Sequence, residues 1–251
     1  MERTAIRRRL TWQVGTVTEV REETSTARTV VLDVPDWPGH LPGQHLDVRL
    51  TAEDGYRASR SYSIASAWTG TTIELTVEQV PDGEVSPNLV EVLKVGDPLE
   101  VRGPVGGWFV WKPEQEGPIQ LIGGGSGVVP LMAMLRAHAA ATSTTPARLL
   151  YSVRKPASVI YVHDLKEVAA SEDIAVTFAY TREAPPGETR PPARIDAELL
   201  KSVTFPPEER PTVYVCGPTP FVETVADLLV EAGHDPARVR TERFGPTGGP
   251  R

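Results

Sequence analysis

Leu121-Ile122-Gly123-Gly124-Gly125-Ser126-Gly127 ends an apolar run that begins at Ile119 and precedes a helical stretch from Pro130 to Ala141. A strand, a glycine turn and a helix in that order leave bare backbone N–H groups at the positive end of a helix, where a pyrophosphate can be received. The run is not G-x-G-x-x-G. No acidic residue follows about twenty positions on, because Leu149, Leu150 and Tyr151 stand there. Glycines needed only for a tight turn would produce the same pattern.

Downstream of this turn, short apolar strands alternate with helices. Strands are expected at Ile119 to Ile122, Arg148 to Val153, Ala175 to Tyr180, Thr212 to Cys216 and Val239 to Glu242. Helices are expected at Pro130 to Ala141, His163 to Ala170, Ile195 to Lys201 and Thr219 to Ala232. Such alternation predicts a doubly wound parallel α/β sheet with ligands at the carboxyl ends of its strands. Glu183 to Pro192, rich in Pro, Gly and charge, reads as an exposed loop.

Upstream the texture differs. His45 to Leu50 and Thr72 to Glu78 alternate apolar and polar residues, and Pro42-Gly43, Gly70, Gly96-Asp97-Pro98 and Gly103-Pro104 punctuate the segments. Six such strands predict an antiparallel six-stranded β-barrel. One helix is expected from Ser86 to Leu93, with Ser86 as N-cap and Pro87 at the first helical position. The expected division is a basic arm at 1–11, a barrel domain at 12–112 and an α/β domain at 113–251, with the change of texture at Lys112 to Pro118.

Composition narrows the function classes. A net charge of -7 argues against general nucleic-acid binding, and no apolar run is long enough to span a bilayer. One cysteine, Cys216, excludes an internal disulfide and a self-contained four-cysteine iron–sulfur cluster, and no Cys or His spacing suggests another metal. His40, His45, His138, His163 and His234 are scattered and read as ordinary. Arg3, Arg7, Arg8 and Arg9 form a basic start, either a solvated arm or a docking patch for an acidic partner. With no h-region after it, a cytoplasmic protein is expected.

Arg60-Ser61-Tyr62-Ser63 lies on a barrel strand, so Arg60 and Tyr62 share one face and Ser61 and Ser63 the other. Tyr62 is open to two readings, a half-buried strand aromatic or a ring stacked on a planar heterocycle. Arg60 is correspondingly a surface charge or a phosphate clamp.

The order of Arg60-Ser61-Tyr62-Ser63, Gly123 to Gly127 and Cys216-Gly217-Pro218 resembles the ferredoxin–NADP reductase family, over nearly the whole chain from Trp12 to Phe244. The resemblance implies Tyr62 against a flavin, Arg60 toward its pyrophosphate, Ser63 near flavin N5 and Ser61 within the same motif. It also implies a flavin-phosphate loop at Gly83-Glu84-Val85-Ser86. Gly124, Gly125, Ser126 and Gly127 match the pyridine-nucleotide loop, and Gly217 and Pro218 follow a Cys216 that positions the nicotinamide without acting as a nucleophile. Glu242 is implied as an orienting or proton-relaying carboxylate, and Phe244 as an aromatic approaching the flavin. Glu78-Gln79, where many relatives carry a basic residue, favours FAD over FMN. Arg154, Thr181, Arg182 and Arg194 match segments that hold a 2′-phosphate, which makes NADPH the expected donor and NADH the second candidate.

The expected reaction passes electrons from NADPH through FAD to a separate iron–sulfur protein, a ferredoxin, or to an oxygenase component, and the protein is expected to act as a monomer. The rival readings are a flavin or ferric reductase using small acceptors, and a non-catalytic FAD-binding electron-transfer subunit.

Overall fold

A computed structural model of the chain describes residues 10–245. The arm arginines Arg3, Arg7, Arg8 and Arg9 and the last six positions, 246–251, lie outside the described residues.

The first half is a six-stranded antiparallel sheet built from β1 (Gln13–Thr24), β2 (Ala27–Asp33), β3 (His45–Thr51), β4 (Arg57–Ser63), β5 (Thr72–Glu78) and β6 (Pro98–Val105). Its order is β4-β3-β6-β1-β2-β5. The sheet rolls until its edge strands meet at the Ile64–Leu75 bridge, where Ala65 N–H also donates to the Glu74 carbonyl at 2.8 Å. Alternation does the folding here. Leu46 and Val48 of β3, with Ile73, Leu75 and Val77 of β5, fill the interior and are essentially inaccessible to solvent.

The helix expected at Ser86 to Leu93 is instead one π-helical turn, Asn88–Val92, preceded by two helical residues. Ser86 does not cap it. Its hydroxyl accepts from Val80 N–H at 3.0 Å and so folds the loop back on the end of β5.

The second half is a five-stranded parallel sheet of β7 (Ile119–Gly124), β8 (Ala147–Val153), β9 (Ile174–Tyr180), β10 (Thr212–Pro218) and β11 (Val239–Phe244), in the order β11-β10-β7-β8-β9. Helices α1 (Val128–Ala140) and α2 (Val162–Val168) cover one face, and α3 (Ala197–Val203) and α4 (Thr219–Glu231) the other. Two buried faces explain why β7 and β10 read as largely apolar runs. α3 begins two residues later than expected, because the Asp196 carboxylate accepts from Leu199 N–H at 2.8 Å and sets the boundary.

The halves share a core. Ala27, Ala65, Phe109 and Trp111 pack with α1 and the strands of the parallel sheet. Gly43, at φ +95°, belongs to this seam: a Cβ there would lie 2.0 Å from the Phe109 carbonyl oxygen and 2.7 Å from the Met134 methyl. Polar groups lock the rest. Arg136 donates to the Ala65 carbonyl at 2.9 Å and to Glu74 at 2.8 Å, and Tyr214 and Arg240 both donate to the Val110 carbonyl, at 2.9 and 2.7 Å.

Candidate functional site

The chain leaves β7 toward β8 on one side, and only after β9 crosses back to β10 on the other side of β7. The carboxyl ends of β7 and β10 therefore flank the topological switch point, where open α/β sheets bind ligands. Two loops meet there, Gly124–Gly127 and Cys216–Pro218. Their contact is backbone to backbone: a Cβ on Gly127 would lie 2.1 Å from the Cys216 carbonyl oxygen. Gly124 and Gly217 are likewise bare because the Phe221 ring packs on both, with a Cβ of either placed 2.8 or 2.7 Å from it. Gly125 takes a left-handed φ of +56° and, like Ser126, is partly open to solvent. A 3-10 turn over Gly125–Gly127 leads directly into α1, with Val128 N–H bonded back to the carbonyls of the turn, so the positive end of the helix lies at the crevice.

On the barrel side, Tyr62 packs with the core beside Leu46 and stays half-buried. Burial pushes its hydroxyl up to about 12, so it stays protonated. Arg60 has the same strand parity but, on the edge strand β4, its side chain is 54% exposed and reaches the 83–86 loop to pair with Glu84. Tyr56 donates to the same carboxylate at 2.6 Å. Glu84 thus stands in for an anion at the guanidinium, and the residues fit a phosphate group there. Gly83 lets the loop turn tightly, a Cβ there falling 3.0 Å from the Val80 carbonyl oxygen.

Two of the expected contacts are absent as side-chain contacts. Ser61 points to the other face and donates to Asp47 at 2.7 Å, a carboxylate that Arg102 also holds at 2.7 Å. Val85 is fully buried in the barrel core, which leaves its backbone alone to meet a ligand.

Ser63, Cys216 and Glu242 come together across the domain seam. Glu242 is the register neighbour of Cys216 in the parallel β10–β11 pair, as Phe244 is of Pro218. Cys216 is 1% exposed, and burial raises its thiol well above the ordinary range, with the nearby Glu242 charge adding to the effect. It is a neutral thiol at physiological pH, which suits a positioning role and not a nucleophile. Ser63 lies directly opposite His45 in the β3–β4 register, and His45 Nδ1 is 3.4 Å from Glu242 Oε1. His45 carries no signature of this in the sequence, because its surroundings depend on a strand at the far end of the chain.

Beyond the crevice, Thr181 N–H donates to the Val153 carbonyl and Arg182 N–H to the Arg154 carbonyl, both at 2.9 Å. This brings the loops after β8 and β9 together. Arg194 follows Ala193, whose N–H donates to the Tyr180 carbonyl at the end of β9. Arg154, Lys155, Arg182 and Arg194 are exposed, and among the described residues none forms an ion pair. Arg190, by contrast, pairs with Asp196 at 2.9 Å. The unpaired cations share the edge with an exposed Glu183, whose N–H donates to the Arg154 carbonyl at 3.1 Å, and Arg154 stands at the end of the second parallel strand, where an acidic residue would favour a free ribose. Among the described residues no cluster of His, Cys, Asp and Glu could hold a metal.

A rolled antiparallel sheet with a phosphate-ready arginine beside a half-buried tyrosine, joined to a parallel sheet with glycines at its switch point, defines a flavin- and nicotinamide-binding oxidoreductase. Residues 14–110 match the oxidoreductase FAD-binding domain and residues 121–227 the oxidoreductase NAD-binding domain. The chain belongs to the ferredoxin–NADP reductase family.

Among its relatives is the ferredoxin reductase component of 3-ketosteroid-9-alpha-monooxygenase from Rhodococcus rhodochrous, 31% identical over 93% of this chain and 65% of that protein. The glycine betaine monooxygenase reductase subunit of Chromohalobacter salexigens is 30% identical over 91% of this chain and 63% of that protein. The chain thus spans a little under two thirds of these relatives' lengths. The flavohem-like FAD/NAD-binding domain of nitric oxide dioxygenase from Vibrio cholerae is superimposable with a TM-score of 0.83 at 26% identity, over 93% of this chain and 99% of that one.

Proposed function

We propose that the chain takes electrons from a reduced nicotinamide dinucleotide, NADPH in preference to NADH, and delivers them singly through FAD to a separate iron–sulfur protein or oxygenase component. FAD, when bound, supplies the conversion between two-electron and one-electron chemistry. The protein's part is to hold, orient and exclude water. The observation that carries this reading is the junction of the two domains: the end of β4 at Ser63 meets the switch-point loop at Cys216 through His45 and Glu242.

In this reading residues 12–112 hold FAD and residues 113–251 the nicotinamide, while 1–11 form a basic arm and the protein works as a monomer. Arg60, Tyr62, Gly83, Ser86 and the Val85 backbone hold FAD, and Ser63 orients its reacting end. Gly124 to Gly127, Cys216, Gly217 and Pro218 receive the dinucleotide, Glu242 orients its ring or a proton, and Phe244 borders the crevice mouth. Arg154, Thr181, Arg182 and Arg194 form the subsite for the 2′-phosphate, in keeping with the unpaired cations there. The oxygenase setting is drawn from the relatives, whose names are those of monooxygenase reductase components.

An anaerobic titration tests the reading. The FAD-loaded protein should bleach on stoichiometric NADPH, and cytochrome c reduction should become rapid only when a ferredoxin is added. Failure to bleach would point to the non-catalytic electron-transfer alternative. Equal rates without ferredoxin would point to a reductase of small acceptors.

A further inference from the structure

Four buried or half-buried histidines have distinct surroundings. His40 accepts from Trp37 Nε1 at 3.0 Å and contacts the Ser66 carbonyl at 3.0 Å; His138 is buried against Trp111 and contacts the Thr145 carbonyl at 2.8 Å. His234 is buried near α4. These are packing residues. His45 differs, because it faces a carboxylate from the other domain.

The pair bridges the two sheets at one point. His45 opens β3 on the outer face of the barrel, since its neighbours Leu46 and Val48 point inward. Residues directly opposite in an antiparallel pair hold their Cβ atoms about 5 Å apart, so the imidazole lies beside Ser63. Glu242 reaches it from β11, next to Cys216. The carboxylate has two unequal oxygens: Oε1 contacts the imidazole, and Oε2 is buried with no hydrogen-bond partner among the described residues. A half-desolvated carboxylate is costly without a cation.

The charges around the pair leave His45 as that cation. Asp47, two residues along on the same face, is held by Arg102 and Ser61. Arg240, two residues before Glu242 on the same face of β11, turns its Nη1 to the Val110 carbonyl at 2.7 Å and to the Tyr214 hydroxyl at 3.3 Å. Cys216 is neutral. Val105 and Gly106 on the β6 side bring no charge, a Cβ on Gly106 falling 3.5 Å from His45 Nδ1. The Glu242 carboxylate, 3.4 Å from Nδ1, is the largest influence on the imidazole and raises its proton affinity; burial opposes it, and the charge of Asp47 adds to it.

We propose that His45 is a positioning residue for the flavin–nicotinamide site: it binds one solvent proton at its imidazole and thereby clamps Glu242 across the domain seam, beside Ser63 and Cys216. The balance is one proton taken from water onto the free ring nitrogen, with no other bond made or broken. This inference rests on the flavoenzyme reading for its consequence in turnover, but not for its titration. A histidine whose proton affinity is raised by folding contributes stability below the ordinary midpoint of about 6.5, and that contribution is lost as pH rises through the raised midpoint. Above it, the imidazole is neutral and Glu242 loses its cation.

The test uses the whole FAD-reconstituted chain with labelled histidine, followed by NMR in the oxidised state without any donor. The His45 midpoint should lie above the ordinary value in the wild type and move down in Glu242→Gln. An unchanged midpoint in that variant overturns the proposal, whatever the protein's activity. The second arm is stopped-flow reduction by NADPH across pH. In the wild type the rate should fall through the His45 midpoint, and in His45→Gln that limb should vanish, leaving a rate about tenfold lower at acidic pH with FAD still bound. A His45→Gln profile superimposable on that of the wild type would equally overturn it. Equal melting temperatures at alkaline pH, where the clamp is released in both, control for damage to the fold.

Discussion

The guanidinium of Arg60 is ion-paired with Glu84, a residue of the very loop that the flavin pyrophosphate is proposed to meet. The Tyr56 hydroxyl completes the arrangement, and its hydrogen bond, followed by Arg60, holds the Glu84 carboxyl below the usual carboxylate range. A bound phosphate and this carboxylate compete for one cation.

Glu84→Gln should therefore tighten FAD binding. The group is exposed, and exposed pairs contribute little, so the expected gain is about two- to fivefold in Kd. It should be largest at low ionic strength and shrink as salt screens the pair. Fluorescence titration of FAD-stripped protein checks this; weaker binding by Glu84→Gln would mean that the carboxylate supports the cofactor instead of competing with it.

Contact between the Gly127 turn and the Cys216 carbonyl gives a second expectation. Gly127→Ala forces a methyl group against main chain, since the Cys216 carbonyl oxygen and the Gly217 Cα would lie 2.1 and 2.8 Å away. Neither neighbour is a flexible side-chain end. The cost should be about 1–3 kcal/mol in urea unfolding, accompanied by a raised KM for the dinucleotide as the two loops separate. Gly107→Ala is the control, because open space surrounds Gly107 and its φ is unexceptional. Wild-type stability and KM in Gly127→Ala would show that the loops can part freely.

Much of this architecture was legible in the residue pattern. β5 alternates Ile73, Leu75 and Val77 inward, and β7 and β10 are buried throughout and largely apolar because helices cover both faces, with Gln120 the polar exception in β7. Alternation also separated Ser61 from Tyr62. What it could not supply was the partner of a side chain: the Ser61 hydroxyl is taken by Asp47 of the next strand, and His45 acquires its chemistry from Glu242 in the last strand. Ser86-Pro87 does open a helical segment, yet the Ser86 hydroxyl serves Val80 instead of capping it, and the turn that follows, Asn88–Val92, is π-helical. The arginines beyond β8 and β9 were visible as residue types, whereas their adjacency needed the hydrogen bonds that join the two loops.

Cys216 should behave as a buried, protonated thiol. With one cysteine in the chain, reaction with a disulfide reagent reads that site alone. At pH 8 the native protein should react slowly and the denatured protein at once. Cys216→Ala should retain FAD and slow its reduction by NADPH about tenfold or more, through loss of a positioned contact with the nicotinamide. Rapid native labelling, or an unchanged reduction rate, would remove the thiol from the proposed site.

Donor choice should rest on the cationic edge after β8 and β9. Arg182 and Arg154 are joined through the main chain and have no acidic partners among the described residues, so their charge is available to an anion. A charge-assisted contact to a phosphate contributes about 1.5–3 kcal/mol. Arg182→Ala should accordingly raise the KM for NADPH about tenfold to a hundredfold and leave that for NADH nearly unchanged, because NADH presents no phosphate to this edge. Arg154→Ala should act in the same direction, and the double variant should fall short of the sum of the two effects, since the two arginines would share one ligand group. Steady-state kinetics with both donors decide the matter. If Arg182→Ala weakens both donors equally, the arginine acts on the shared part of the dinucleotide, and the assignment of a 2′-phosphate subsite to this edge fails while the flavin and nicotinamide sites stand.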